Sequence, residues 1–235
     1  MKRITDNIYQ IGLGHVNVFV IDDDGLTLIG TGPKGSTGKI FNAIQRDGLD
    51  PYDIKQIILT HAHPDHAGSA EELKRKLRVP VLAHYHDAQI MKYGIGLRNE
   101  MNLTAGLKNW LIYQLIIKNN GIDIEPVDVD EQLNDNDLLP ILGGTRVIHT
   151  PGHTKGHISL WCERQGVLIA GDLLSNTLGL DLSVINENRE EGIHSILKVA
   201  RLDFSKVVFG HGQPILKYAS SIIKQAINYY NYSLI

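Results

Sequence analysis

Short runs of hydrophobic residues alternate with longer amphipathic segments along the chain, and this alternation predicts a mixed α/β protein. Apolar runs that are rich in β-branched residues and bounded by Gly, Pro or Asp predict strands. These runs cover residues 8–11, 17–22, 26–29, 54–59, 79–84, 139–142, 145–149, 158–162, 167–170 and 206–209. Apolar positions at helical spacing predict helices. The helical segments cover about residues 36–46, 69–77, 190–201 and 217–230.

Residues 87–120 differ from this alternation because they combine a helical composition with an apolar second half. We expect two helices there, separated near residues 104–106, that form an insertion. The insertion serves either as a lid or pocket wall for a substrate, or as a core or oligomer contact. The order of the elements around it fits two sheets sandwiched between helices, as one domain over residues 1–235.

Composition and charge narrow the classes of function. Of the 235 residues, 43% are hydrophobic and 21% are charged, which is ordinary for a folded chain. Lys and Arg number 23 and Asp and Glu number 26, so the formal net charge is −3. This balance gives no general affinity for nucleic acid or for an anionic membrane. We therefore expect a small-molecule substrate, with a homodimer left open.

Three further features bear on location. No apolar run reaches the roughly 18 residues that a membrane helix needs. The first residues lack the continuous apolar core of a signal peptide. Cys162 is the single cysteine, which excludes an internal disulfide and fits a reducing compartment. We expect a cytoplasmic protein.

The chemistry is concentrated in residues 61–66, which read HAHPDH and directly follow a predicted strand. Imidazole and carboxylate groups are the usual nitrogen and oxygen ligands of zinc and similar ions. In an extended segment, residues two apart point to the same side, so His61 and His63 are able to bind one ion together. The proline that follows bends the chain, and Asp65 and His66 are then directed to a second ion nearby.

Three more ligand-type residues each follow a predicted strand and a bending residue. His153 follows a Pro-Gly pair, Asp172 follows Gly, and His211 lies between two glycines. This arrangement places them on loops at one edge of the sheets. His149 and His157 flank His153 at four residues on either side, but the Pro-Gly pair rules out a helix that would align them. We expect these two histidines to support the site or to lie on the surface.

The motifs HAHPDH, PGH, GD and GHG, in this order, resemble those of the metallo-β-lactamase superfamily, over nearly the whole chain to His211. The resemblance implies a four-layer αββα sandwich, with two mixed β-sheets flanked by helices, and a dinuclear metal site. The ligands that it implies are His61, His63 and His153 for the first metal, Asp65, His66 and His211 for the second, and Asp172 as a bridge between both. Ligand type favours two divalent ions, with zinc preferred and iron or manganese as alternatives.

These features predict a dinuclear metal-dependent hydrolase that uses a metal-bridging hydroxide on a small ester, lactone or thioester. Asp65 is the predicted catalytic residue, which orients the hydroxide and later passes a proton to the leaving group. Lactonases of the superfamily carry a Tyr three residues after the bridging Asp, where this chain has Ser175. Glyoxalase II enzymes add a basic C-terminal region. In this chain the only basic residue among residues 221–235 is Lys224.

Two alternatives stay open. A phosphodiesterase or nuclease would need a basic surface, and the only local basic run lies within residues 74–78. A metal-binding or redox protein with little hydrolytic activity is supported only by Gly30, which stands where the superfamily usually has Asp in an Asp-Thr-Gly turn. Loss of a group that supports metal ligands lowers affinity or rate by about 10–100-fold.

Overall fold

The computed structural model describes residues 1–97, 101–118 and 121–231. Its strands, in chain order, are β1 (Lys2–Arg3), β2 (Ile8–Gly12), β3 (Asn17–Asp22), β4 (Leu26–Ile29), β5 (Ile54–Ile58), β6 (Val81–His84), β7 (Asn102–Leu103), β8 (Glu131–Leu133), β9 (Leu138–Leu139), β10 (Thr145–His149), β11 (Ile158–Cys162), β12 (Val167–Ile169), β13 (Leu174–Ser175), β14 (Asp181–Leu182), β15 (Ile185–Asn186) and β16 (Lys206–Val208).

The helices are α1 (Thr37–Arg46), α2 (Pro64–Ala67), α3 (Ala70–Leu77), α4 (Tyr85–Met91), α5 (Leu107–Ile112), α6 (Arg189–Val199) and α7 (Ala219–Asn231). Short 3-10 turns occur at Pro51–Asp53 and Glu163–Gln165, and a π-helical turn at Tyr113–Ile117 continues α5. Within the described residues, no helix is both long enough and apolar enough to span a membrane.

The chain forms two compact units. The first unit comprises Met1–Arg98 and Gly121–Leu133, and the second comprises Asn99–Asn120 and Asn134–Ile235. The predicted insertion is therefore divided, because its first part belongs to the first unit and its later part to the second. The single domain over residues 1–235 stays a prediction.

The first unit is built on a seven-stranded sheet with the order β1-β2-β3-β4-β5-β6-β8. Neighbours from β1 to β4 are antiparallel, and those from β4 to β8 are parallel, so the sheet is mixed. Val18 and Val20 of β3 pack in one core with Ile40 and Ile44 of α1 and Leu73 of α3. These helices bury one apolar face because their hydrophobic residues recur at helical spacing.

The second unit is built on a five-stranded sheet with the order β16-β12-β11-β10-β9. Only β12 and β16 are parallel, and α6 lies between them along the chain, as a parallel connection requires. Ile193 and Ile196 of α6 pack with Phe204, Phe209 and Ile223. Two mixed sheets with packed helices confirm the predicted fold class.

Most predicted elements are found within a few residues of their expected bounds, with two informative differences. The segment between the predicted strand over residues 54–59 and the predicted helix over 69–77 contains an additional short helix, α2, because a proline at its first position has a backbone angle that suits a helix start. The predicted strand over residues 139–142 is shorter and ends at Leu139. Leu142 adopts a left-handed φ of 55°, and two glycines with positive φ follow it, which is incompatible with a continuing strand.

Candidate metal centre

In the first unit, four predicted ligands lie together after β5. The ring centroids of His61 and His63 are 4.7 Å apart, and those of His61 and His66 are 4.2 Å apart. All three imidazoles are buried. Asp65 is partly exposed, and its Oδ2 lies 3.7 Å from Nε2 of His66. The first unit therefore gathers three imidazoles and one carboxylate, which are the donor types that divalent metals prefer.

Helix α2 and the turn after β4 hold this segment. The amides of His66 and Ala67 donate to O of His63 at 2.9 and 2.8 Å. Both N and Oγ1 of Thr31 donate to O of His66, at 2.7 and 2.9 Å. The turn that contains Gly30 thus anchors α2 through Thr31, without an acidic side chain.

The backbone conformation at position 30 explains why glycine occurs there. Its φ is 73°, in the left-handed region, and its N donates to O of Ile58 at 2.8 Å. A Cβ at Gly30 would meet Cγ1 of Val18 at 3.5 Å, which is ordinary contact. The backbone conformation, rather than a lack of space, therefore favours glycine here.

Two contacts to the ligand segment could not be read from the sequence. Oγ1 of Thr60 lies 3.1 Å from Nδ1 of His61. Asp87, which is fully buried in α4, accepts a hydrogen bond of 3.0 Å from N of Ala62. Asp87 lies 25 positions after Ala62 and is not part of a recognisable motif, so no local sequence pattern predicts this contact.

In the second unit, the other three predicted ligands lie together, because two histidines converge on the carboxylate of Asp172. Its Oδ2 lies 3.0 Å from Nε2 of His211 and 3.6 Å from Nε2 of His153. Asp172 and His153 are buried, and the His211 side chain is 22% exposed. Three residues from three separate loops thus form a second compact donor set.

His153 is held in one orientation by its backbone surroundings. Its Nδ1 lies 2.8 Å from O of Ile185, and because a carbonyl oxygen only accepts, Nδ1 carries a proton while Nε2 faces Asp172. Such an outer hydrogen bond fixes the tautomer that a metal-binding histidine needs. Ser195 of α6 donates to O of Pro151 at 2.7 Å and fixes the start of the same loop.

His157 is a support rather than a ligand, as predicted. Its Nδ1 contacts Oγ1 of Thr150 at 2.8 Å, and its Nε2 accepts a hydrogen bond of 2.9 Å from N of Asp172. Both ring nitrogens are therefore engaged within the protein. His149 bonds through Nε2 to O of Lys155 at 3.0 Å, away from this set.

A hydrogen-bonded group links the insertion to the second donor set. Oγ of Ser183 donates to O of Asp172, and Oγ1 of Thr104 donates to O of Ser183 at 2.5 Å. Asn186 Nδ2 donates to Oγ1 of Thr104 at 3.1 Å and to O of Ser183 at 2.9 Å. Sequence reasoning missed these residues, because Thr104 and Ser183 lie 79 positions apart.

Two pKa shifts in the second unit have clear causes. Burial raises the pKa of the Cys162 thiol to about 11, although a hydrogen bond from Thr145 opposes the shift. Burial alone would also raise the pKa of Asp135, but the hydrogen bonds and charge that it meets outweigh burial and hold the pKa below its usual range. The donors to Asp135 are Nζ of Lys198, at 2.7 Å, and N of His149, at 2.8 Å.

Comparison with known proteins places this geometry in a family. A family model described as the metallo-beta-lactamase superfamily matches residues 11–211, which include all seven predicted ligands. The chain belongs to the metallo-β-lactamase superfamily. YflN of Bacillus subtilis, described as a probable metallo-hydrolase, is 30% identical over 219 residues, covering 85% of this chain and 81% of YflN.

Two further relatives of this superfamily member have named substrates. A hydroxyacylglutathione hydrolase of Bdellovibrio bacteriovorus is 24% identical, and the match covers 82% of this chain and 61% of that enzyme. An N-acyl homoserine lactonase of a Bacillus species is 28% identical, and the match covers 78% of this chain and 62% of that enzyme.

A solved structure has the same fold. The metallo-β-lactamase GOB-18 of Elizabethkingia meningoseptica matches with a TM-score of 0.72 and 24% identity, covering 99% of this chain and 89% of that one. This likeness confirms the predicted fold class. Together with the His and Asp metal-binding groups, membership of the superfamily identifies a metal-dependent hydrolase.

Proposed function

We propose that this protein is a dinuclear metal-dependent hydrolase of small esters, lactones or thioesters. The observation that carries the proposal is that each unit gathers His side chains, most of them buried, and one Asp carboxylate into a compact donor set. All seven predicted ligands belong to groups of side chains that are able to hold a metal ion.

The donor set fits two divalent ions. In this proposal His61, His63 and His153 would hold the first ion, Asp65, His66 and His211 would hold the second, and Asp172 would contribute to both. Five imidazoles and two carboxylates suit zinc, and iron or manganese as well, because none of these ions requires a thiolate. The hydrogen bond that orients His153 is of the kind that tunes metal ligands.

The roles of the residues follow from their positions. When bound, a pair of divalent ions supplies a nucleophile near neutral pH and polarises the substrate oxygen. Asp65 is partly exposed beside His66, so it is able to orient the attacking water and to carry a proton to the leaving group. Cys162 does not compete as a nucleophile, because it is buried and its pKa of about 11 keeps it protonated.

Two observations support an acyl substrate. Two relatives are named for hydrolysis of a lactone and of a hydroxyacyl thiol ester of glutathione. The insertion also exposes large apolar side chains, among them Leu107, Trp110 and Leu115. These residues favour a small, partly apolar substrate over a polyanion.

The basic run in α3 gives little support to a nuclease. Nζ of Lys74 bonds to Asp130 at 2.9 Å, and Nη1 of Arg75 lies 3.4 Å from Oε1 of Glu125. Acidic partners thus neutralise part of this face, and we propose no nucleic-acid or membrane partner.

We also propose a cytoplasmic location, because the single cysteine, Cys162, is in the free thiol form. A homodimer is left open.

The test measures metal content by elemental analysis and, on the same sample, hydrolysis of lactones, thioesters, phosphodiesters and β-lactams with and without chelator. We expect close to two metals per chain, and chelator-sensitive hydrolysis of a lactone, ester or thioester. Two metals with turnover of phosphodiesters alone would support the nuclease alternative. Two metals without any turnover would support the metal-binding alternative.

A further inference from the structure

A carboxylate outside the seven predicted ligands is bonded to the segment that carries them. Asp87 lies in the first turn of α4 and its side chain is fully buried. Its Oδ2 accepts the hydrogen bond from N of Ala62, and Ala62 is the residue between His61 and His63. The bond therefore fixes the peptide between His61 and Ala62, which is the first of the two peptides between these ligands.

We propose that Asp87 is a positioning residue that holds His61 and His63 in the orientation needed to bind one ion together. The inference rests on the proposed function, in which both histidines bind the first metal. Two side chains at positions i and i+2 share a face only while the two peptides between them keep their orientation. Because a buried amide without an acceptor is costly, the bond to Asp87 restricts the His61–Ala62 peptide to one orientation.

Close packing restricts the next peptide, which joins Ala62 to His63. A Cβ at Gly96 would lie 3.1 Å from O of Ala62, and 3.0 Å from both Cγ of Pro64 and Cγ2 of Ile124. The backbone at Gly96 therefore already lies close to the ligand segment. Asp87 holds the N–H of Ala62 while Gly96 packs against its carbonyl, so the segment has little room to shift.

The charge of Asp87 strengthens this arrangement. A carboxylate is a stronger acceptor for a backbone N–H than a neutral amide oxygen. Its place in the first turn of α4 also puts the negative charge at the end of the helix that favours anions. An Asn at position 87 would keep one acceptor oxygen but lose the charge, which separates hydrogen bonding from electrostatics.

The experiment measures the zinc dissociation constant by competition with a chromogenic chelator, and the visible spectrum of the Co²⁺-loaded protein. Asp87→Ala is expected to weaken zinc binding by about 10–100-fold and to shift the Co²⁺ bands, as loss of outer partners of metal ligands does. Asp87→Asn is expected to weaken it by a smaller factor, about 3–10-fold, because its amide oxygen is the weaker acceptor.

Asp130→Ala is the matched control. Oδ2 of Asp130 also accepts a backbone hydrogen bond in the first unit, from N of Val81 at 2.8 Å, but it does not touch the ligand segment. This variant is expected to lose stability while keeping the wild-type zinc affinity and Co²⁺ spectrum. Circular dichroism verifies that each variant is folded.

The outcomes separate this inference from the proposed function. A folded Asp87→Ala with wild-type zinc affinity and an unchanged Co²⁺ spectrum overturns the inference. If Asp87→Ala does not fold, the same result in a folded Asp87→Leu, which fills the site but has no acceptor for N of Ala62, overturns it. A double variant, His61→Ala with His63→Ala, tests the ligands themselves. If that double variant keeps its full zinc content, the proposed ligand assignment fails, whatever Asp87 does.

Discussion

Gly152 directly precedes His153 at a place where the backbone leaves no room for a side chain. A Cβ there would lie 2.2 Å from N and 2.3 Å from Cα of Gly192, and 2.9 Å from O of Asn188. The φ of Gly152 is 131°, a conformation that L residues rarely adopt. We predict that Gly152→Ala forces the loop that carries His153 away from α6.

The expected loss of stability follows from the overlap between the new Cβ and the backbone of Gly192. Ordinary contacts of a Cβ begin at 3.4 Å, so the loop and the helix would have to separate by more than 1 Å. The nearest atoms belong to backbone and cannot rotate away. Overpacking of this kind costs about 1–3 kcal/mol, and a strained backbone conformation adds about 1–2 kcal/mol. We expect the free energy of unfolding to fall by about 2–5 kcal/mol, and Tm by about 4–20 °C.

The assay is thermal and urea unfolding of the metal-free protein, followed by measurement of the zinc dissociation constant. Gly179→Ala is the control for backbone strain, because Gly179 has a φ of 92° and no atom of the described residues lies within 4 Å of the position that a Cβ would take there. Gly192→Ala is the control for the helix side, where the nearest atoms would be at 3.8 and 3.9 Å. Alanine there is expected to stabilise α6 by about 1 kcal/mol.

The comparison between these variants tests whether the clash with Gly192 causes the loss of stability. Gly152→Ala must lose more stability than Gly179→Ala, and it must also bind zinc less tightly, since His153 moves with the loop. If both variants lost the same stability, or if Gly152→Ala kept the wild-type zinc affinity, the clash with Gly192 would not be the determining contact.

Three further predictions concern the second unit. His157→Ala should lower the free energy of unfolding by about 1–3 kcal/mol, measured in urea, because the buried N–H of Asp172 loses its acceptor; an unchanged value would contradict the support role. The pKa of Asp135 is lowered in the folded state, so its contribution to stability is present above the unfolded pKa of about 3.9 and is lost as the pH falls through the folded pKa. Urea titrations should accordingly show the advantage of wild type over Asp135→Asn shrinking below about pH 4, and an advantage that grows on acidification would refute the sign. Cys162, with a pKa of about 11, should react with a thiol reagent at pH 7 only after unfolding, and fast labelling of folded protein would disprove its burial.

Local sequence patterns determined much of this protein. The strands could be predicted because buried β-strands are short apolar runs, and the helices because one face is apolar. The segment from His61 to His66 was recognisable because its ligand types and spacing are local. The order of the later motifs pointed to the same family, which the comparisons bear out.

The tertiary structure alone decided which residues support the ligands. Ala62 and Asp87 are 25 residues apart, and Thr104 and Ser183 are 79 apart, so no periodicity or motif connects them. The role of His157 likewise depends on where its two nitrogens point, which the sequence does not encode locally. Hydrogen bonds and close contacts form between groups that folding brings together, whereas a sequence pattern records only what neighbouring residues share.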